Sequence, residues 1–336
     1  MKRLKLALIG FGNVGQGFIK VLKRYKAWIL GEYEMDVQIS YIVDPIKGSI
    51  YVEDGVDIDE ILEYVEADGN IRRHPKSQEI DSKTPLRDGD VDVVIEVTPT
   101  NLSDGEPGYT HIKLALENGK HVITTNKGPL ALYYRELVDM AEEYGLYLGY
   151  EGTVMSGTPL IKLLRYGMLR DITNIRGILN GTTNYILTLM ENGKTFEEAL
   201  AEAQSLGIAE ADPTMDIDGY DLQAKAAILI NTLLDEGVSI EDIERNSLAQ
   251  YIKKRGYKRS LKYVADLDFI EGRYLIHPIE VLPGDPLLSA KGVTNMVVIN
   301  SETLGKISIS GPGAGREETG YAILSDLIDM IRRYRT

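Results

Sequence analysis

Residues 5–24 read KLALIGFGNVGQGFIKVLKR, an apolar run that breaks on three glycines and resumes with apolar residues at helical spacing. Strand, turn and helix follow in that order. Gly10 permits a tight turn, Gly12 lets the backbone approach a pyrophosphate, and Gly15 lets the helix pack closely on the strand, with the helix N-terminus facing the anion. Glycines at this spacing also occur in ordinary turns, but the strand before and the helix after favour a dinucleotide site built from Gly10, Phe11, Gly12, Asn13, Val14 and Gly15.

The next strand, 38–43, ends at Asp44, where a carboxylate accepts hydrogen bonds from an adenosine ribose. Asp44 lies farther from Gly15 than the usual roughly 20 residues, because AWILGEYEMD lengthens the connection. Lys47 stands close enough in sequence to pair with a 2′-phosphate, so NAD and NADP both remain open. A plain turn residue ahead of Pro45 is the competing account of Asp44. VDVVIEV (91–97) is a buried strand followed by the Thr98 loop, and HVITT (121–125) is another strand ending at Asn126-Lys127-Gly128. Strands alternating with helices imply a parallel sheet with ligands outside the carboxyl ends of its strands. That places Thr98 and Lys127 at a cofactor or substrate.

From about residue 146 the pattern changes to helices followed by alternating runs, SLKYVADLDFI, RYLIHPIEVL and TNMVVIN, in the manner of an antiparallel sheet. The expected fold is α/β: a Rossmann-type dinucleotide-binding domain with a parallel sheet, plus an α+β catalytic domain with an open, mainly antiparallel sheet. Residues 1–147 form the first domain, completed by 311–336, and 148–310 the second; the tail SISGPGAGREETGYAILSDLIDMIRRY reads as a glycine loop plus a helix that returns to the first domain.

Composition narrows the function. The 336-residue chain has a net charge of −14 and 43% hydrophobic residues, which argues against nucleic acid as a partner. No apolar run reaches the roughly 18 residues of a membrane span, and glycines interrupt the first apolar run too early for a signal peptide. A cytoplasmic location is expected. Cysteine is absent, which removes thioester-forming dehydrogenases and thiolate metal sites.

The stretch GIAEADPTMDIDGYDLQAK at 207–225 carries five carboxylates, Glu210, Asp212, Asp216, Asp218 and Asp221, and then Lys225. An EF-hand register fails, because with Gly219 at the invariant glycine Lys225 falls where a bidentate Glu is required. Asp221 and Lys225, four apart on a helix, share one face. They can be a surface ion pair or one wall of a pocket, and the AAILI run that follows, which makes much of the helix buried, favours the pocket.

Six segments resemble the homoserine dehydrogenase family, in family order: GFGNVG at 10–15, TTNKGPLA at 124–131, EGTVMSGTPLI at 151–161, ILNGTTNYIL at 178–187, the 207–225 stretch, and GPGAGREETGYAILSD at 311–326. The resemblance implies reversible hydride transfer between L-homoserine and L-aspartate 4-semialdehyde with NAD(H) or NADP(H), in threonine, methionine and isoleucine biosynthesis. It makes Lys225 and Lys127 the active-site lysines, Lys225 the usual proton carrier. It gives Glu210, Asp221 and Asp216 to the substrate ammonium, Gly181 and Thr182 to a substrate loop, and Gly315 to a cofactor loop. NGTTNY can also be a helix N-cap by Asn180 or Thr182, a role compatible with substrate contact because a helix N-terminus suits a carboxylate. It implies a sodium ion at Glu151, Val154, Ser156 and Thr158, and a homodimer through the second domain's sheet. The form expected has no kinase or regulatory domain, hence weak inhibition by threonine. Ile208 departs from relatives that carry tyrosine there. A side-chain contact to substrate is then missing. A lysine that protonates a nascent alkoxide must lose that proton in the reverse direction. A second cation lowers its pKa and nearby carboxylates raise it, and the sequence leaves the net direction open. Sugar-type oxidoreductases are the nearest enzymatic rival, and a catalytically silent dinucleotide sensor the non-enzymatic one. Neither explains NGTTNYIL beside the acidic stretch.

Overall fold

The computed structural model describes residues 2–167 and 171–334, which divide into two units, Met1–Gly157 with Gly315–Thr336, and Thr158–Ala314. In the first unit the elements are β1 (Lys2–Ile9), α1 (Asn13–Tyr33), β2 (Met35–Val43), β3 (Ser49–Tyr51), α2 (Ile58–Asp68), β4 (Ser77–Gln78), α3 (Thr84–Arg87), β5 (Val93–Glu96), α4 (Gly108–Glu117), β6 (His121–Thr124), α5 (Lys127–Leu132), α6 (Tyr134–Glu143) and β7 (Leu148–Gly149). The strand order is β4-β3-β2-β1-β5-β6-β7. The pairs from β2 to β7 are parallel, and β3 and β4 add an antiparallel edge. The parallel strands are apolar along their length because helices cover both faces: all four residues of β5 are buried.

Asp44 sits far from Gly15 in sequence because α1 runs 21 residues, to a left-handed cap at Glu34. The connection is therefore helix rather than a long loop. The C-terminal helix, Arg316–Arg333, returns to pack on α1. The contact is backbone on backbone: a Cβ on Gly17 would overlap the Arg316 carbonyl, and one on Gly320 would lie 2.7 Å from the Gly17 carbonyl carbon.

The second unit contains β8 (Ile172–Ile178), α7 (Gly181–Glu191), α8 (Phe196–Ser205), α9 (Thr214–Ile217), α10 (Tyr220–Leu234), β9 (Glu244–Arg245), α11 (Leu248–Arg255), β10 (Leu261–Asp268), β11 (Arg273–Glu280), β12 (Thr294–Ser301) and β13 (Gly305–Pro312). Its sheet runs β13-β12-β8-β10-β11-β9 and is antiparallel apart from the short parallel β9–β11 pair. The stretch SISGP, expected as part of a glycine loop, is instead strand, pairing with β12. The units accordingly part at 157/158 and 314/315. The turn at 151–157 stays with the first unit because Glu151 N donates to Asp326 Oδ2 at 2.9 Å.

In α10 the residues Ala224 to Leu233 are all buried, so this helix runs through the interior. Lys262 is buried too; it donates to Asn184 Oδ1 (3.0 Å) and to Ala290 O (2.5 Å), while Asn184 Nδ2 donates to Gly292 O and Thr294 O. That network fixes α7 to the loop ahead of β12. Burial pushes the Lys262 ammonium down to about 8.

The helix crossing yields a paired test by urea denaturation. Gly17→Ala forces two backbones apart and is expected to destabilise the protein by about 2 kcal/mol or more. Gly31→Ala, also within α1 but with open space around its Cβ position, is expected to stabilise it by about 0.5–1 kcal/mol.

Candidate functional site

The first unit builds a dinucleotide cradle from backbone. Gly10 adopts φ +101°, and a Cβ there would lie 2.6 Å from the Val97 carbonyl oxygen; one on Gly15 would lie 2.5 Å from the Gly10 carbonyl oxygen. Around Gly12 the space for a Cβ is open, and as N-cap of α1 it offers no capping side chain. The N–H groups of the first turn, beginning at Asn13 and Val14, therefore face a free approach for an anion. Phe11 N–H is committed elsewhere, donating to Asp44 Oδ2 at 2.7 Å. Asp44 Oδ1 accepts from Ile46 N (2.8 Å) and Lys47 N (2.7 Å). Asp44 is thus a turn-former that also braces the glycine turn, and lone pairs on Oδ2 remain for a ribose hydroxyl.

A cavity of about 280 Å³ opens beside this turn, lined by Asn13, Gln16, Lys20, Lys47 and Arg316 among others. Lys20 and Arg316 were not anticipated from sequence. Their signal is position only, one helical turn beyond Gly17 and one residue beyond Gly315. Gly315 (φ +147°) caps the returning helix, and its carbonyl accepts from Thr319 Oγ1 at 2.7 Å.

At the carboxyl ends of β5 and β6, the fully buried Glu96 accepts from Thr98 N (3.0 Å), from Thr98 Oγ1, and from Thr124 Oγ1 (3.0 Å). Asn126 caps α5 by accepting from Gly128 N (3.1 Å), and its amide reaches Thr98 Oγ1 (3.3 Å). Thr98 and the half-buried Lys127, the first residue of α5, are so tied to one network. Glu151, Val154 and Ser156 are buried in the turn after β7, where Met155 (φ 59°) and Ser156 (φ 51°) are both left-handed. Thr158 belongs to the second unit and donates to Pro312 O at 3.2 Å.

The second unit gathers the acidic stretch against α7. Asn180 caps α7, Oδ1 accepting from Thr183 N at 2.9 Å, while Nδ2 donates to Asp216 Oδ1 (2.6 Å) and Asp221 Oδ2 (3.0 Å). Lys225 Nζ, 8% exposed, donates to Asp221 Oδ2 (2.7 Å) and to Leu179 O (2.6 Å). The Asp221–Lys225 pair is therefore an interior wall and not a surface ion pair. Gly219 (φ +83°) lets the chain turn from α9 into α10 against the Tyr263 ring, which a Cβ would strike. Gly181 and Thr182 open α7, Thr182 Oγ1 donating to Ile208 O at 3.0 Å; position 208 thus contributes its carbonyl. Glu210 is exposed, and its carboxylate makes no hydrogen bond or ion pair among the described residues. Asn180 is the member that sequence reasoning assigned to capping alone.

Burial first, then the charge of Asp221, pushes the Asp216 carboxyl above the usual carboxylate range. The cluster couples a confined cation to two acids, which suits a small substrate carrying both an ammonium and a hydroxyl.

A dinucleotide cradle in one unit and a buried lysine among carboxylates in the other define an oxidoreductase that uses NAD(P). Two family models match the chain: homoserine dehydrogenase, NAD binding domain, over residues 10–151, and homoserine dehydrogenase over residues 159–328. The chain belongs to the homoserine dehydrogenase family, whose reaction interconverts L-homoserine and L-aspartate 4-semialdehyde. It is 39% identical to a homoserine dehydrogenase of Methanocaldococcus jannaschii, over 97% of this chain and 98% of that one. It is 38% identical to an NAD(+)-dependent homoserine dehydrogenase of Pseudomonas canavaninivorans, covering 98% and 97%. Among solved structures it superposes on a hyperthermophilic archaeal homoserine dehydrogenase mutant in complex with NADPH with a TM-score of 0.87, at 29% identity over 99% of this chain and 98% of that one. It also superposes on a crystal structure described as a putative homoserine dehydrogenase from Archaeoglobus fulgidus, TM-score 0.84, 35% identity, covering 98% and 99%.

The strained acid gives a pH test. An acid whose pKa is raised on folding takes its proton at higher pH than a free carboxylate, so its anion opposes folding, and stability falls as pH rises through that pKa. Asp216→Asn should raise the thermal midpoint near pH 7 by about 1–2 °C, on the order of 1 kcal/mol for a chain of 336 residues. If Asp216 holds the substrate ammonium, the same variant should raise the homoserine KM about tenfold. In the wild type that KM should climb on acidification at a pH above the ordinary aspartate range.

Proposed function

We propose that Lys225 carries the proton of the homoserine reaction. An ammonium has three donors. Two of them are spent on Leu179 O and Asp221 Oδ2, which leaves the third for the substrate oxygen. That division of donors is the observation that supports the reading most strongly. In aldehyde reduction the third donor stabilises the oxygen as it becomes anionic and then delivers the proton. In alcohol oxidation the neutral amine, still oriented through its proton to Leu179 O, removes the hydroxyl proton. The nicotinamide, when bound, accepts or supplies the hydride.

Asp216 and Asp221 receive the substrate ammonium, and Asn180 spaces them by bonding both. The resemblance adds Glu210, exposed in the loop before α9, to the same ammonium. Gly181 and Thr182, at the start of α7, offer N–H groups to the substrate carboxylate, as a helix N-terminus does. The resemblance makes Lys127, in the first turn of α5, the second active-site lysine. Both NAD(H) and NADP(H) fit the first unit: Asp44 Oδ2 suits a ribose diol, and Lys20, Lys47 and Arg316 suit a 2′-phosphate. The resemblance alone assigns sodium to Glu151, Val154, Ser156 and Thr158. The resemblance also supports a cytoplasmic homodimer formed through the sheet of the second unit. No helix among the described residues is long and apolar enough to cross a membrane.

The assignment is tested by following absorbance at 340 nm with L-homoserine and either dinucleotide. Lys225→Met should lower kcat at least about 100-fold, within the range for a lost general acid–base, while NADPH affinity measured by fluorescence changes less than twofold. A near-normal rate would move the proton to another group. Lys47→Ala should raise the KM for NADP⁺ about tenfold and that for NAD⁺ less than twofold; an equal change in both would remove Lys47 from the 2′-phosphate.

A further inference from the structure

A groove of about 660 Å³ lies within the second unit; the α9–α10 turn lends it Asp218 and Tyr220, and its lining includes none of Asn180, Asp216, Asp221 and Lys225. Its wall is one stripe of α11 that includes Gln250, Tyr251, Lys254 and Arg255, and its floor includes Asp218, Arg245 and His277. Three fixed cations, Arg245, Lys254 and Arg255, meet one carboxylate, in a chain whose net charge is −14. That carboxylate is already engaged, since Asp218 Oδ1 accepts from Ser247 Oγ at 2.5 Å. A cleft of one sign concentrates the opposite charge.

The arginine is held in place without its capacity being met. Its guanidinium stacks over the Tyr220 ring at 3.6 Å and donates through one terminal nitrogen to the Asp218 carbonyl. Arg245 Nε has no hydrogen-bond partner, and neither has His277 Nε2, which faces an Asp266 carboxylate oxygen at 3.7 Å. Sealed polar nitrogens without partners are rare in folded proteins. Arg245 Nε is one of them, and it belongs to this groove.

We propose that the groove is a regulatory site for a small oxyanion, a phosphate monoester or a compact polycarboxylate, that bridges Arg245 to Lys254 and Arg255. Guanidinium forks match such oxygens bidentately. The site is distinct from the catalytic cluster but shares its scaffold. Arg245 and Ser247 together hold Asp218, and the residues two before and three after it, Asp216 and Asp221, bond Asn180. An oxyanion competes with the Asp218 carbonyl for the guanidinium, loosens the α9–α10 turn, and weakens homoserine binding. This last, coupled effect rests on Asp216 and Asp221 being the ammonium ligands; the binding itself does not.

The test uses NADPH-saturated enzyme, so that the glycine turn is filled, and calorimetric titration of inorganic phosphate and of citrate at ionic strength matched with potassium chloride. Saturable binding with Kd below about 1 mM is expected for at least one, weakened tenfold or more in Lys254→Met/Arg255→Met, whose altered side chains are solvent-exposed. Phosphate alone binding identifies a phosphoester site, and citrate alone a carboxylate site. Failure of both to saturate, or equal binding by the double variant, overturns the proposal. With the groove saturated, the homoserine KM should rise threefold or more with kcat within twofold of its value in chloride; an unchanged KM overturns the coupling while leaving the homoserine reaction itself standing.

Discussion

Lys225 is held in the second turn of a buried helix by one carboxylate and one backbone carbonyl, and the second unit is arranged around that confinement. A lone ammonium in such a position is costly unless its donors are met. Asp221 Oδ2 and Leu179 O meet two of them, and the same Asp221 oxygen accepts from Asn180. Asn180 cannot move without releasing Asp216 and the first turn of α7. One interaction thus ties α10, α7 and the acidic loop into a single geometry. The cost of that geometry is visible at Asp216, whose anion is disfavoured by burial and by the charge of Asp221. Under the proposal that Asp216 and Asp221 receive the substrate ammonium, binding of that cation relieves the strain.

The first unit works by exclusion of atoms. Its glycine turn, the crossing of α1 with the returning helix, and the seat of α5 against residue 101 are places where a Cβ would meet backbone. Close backbone approach leaves N–H groups as the surface on offer, and a pyrophosphate is the natural complement. The buried Glu96 adds a side-chain anchor, linking the Thr98 loop to the cap of α5. Local packing therefore decides where the cofactor's charged and reactive ends are received.

Much of this was legible from sequence, for identifiable reasons. Glycine spacing reports steric demand, so the glycine turn could be read from Gly10, Gly12 and Gly15 directly. Apolar runs in 91–97 and 121–125 report burial, and the run AAILI after Lys225 reported that α10 is interior. Residues whose roles depend on long-range geometry were less readable. Asp44 was read as a ribose ligand or a turn residue; its carboxylate in fact bonds three backbone N–H groups, one of them 33 residues away. Asn180 looked like a cap, and its amide proved to bridge two acids from another segment. SISGP has too many glycine and serine residues to signal a strand by itself, and it becomes one because β12 offers an unpaired edge. The contact of Lys20, Lys47 and Arg316 with one cavity joins three separate segments, which no local pattern encodes.

A crystal structure of the ternary complex with NADP⁺ and L-homoserine tests the central claim most directly. The account predicts Lys225 Nζ within about 3.2 Å of the homoserine hydroxyl oxygen, hydrogen-bonding distance for a proton carrier, with its bonds to Leu179 O and Asp221 retained and the substrate ammonium against Asp216 and Asp221. A complex in which the hydroxyl meets a different side chain, with all three Lys225 donors satisfied by the protein, would contradict it.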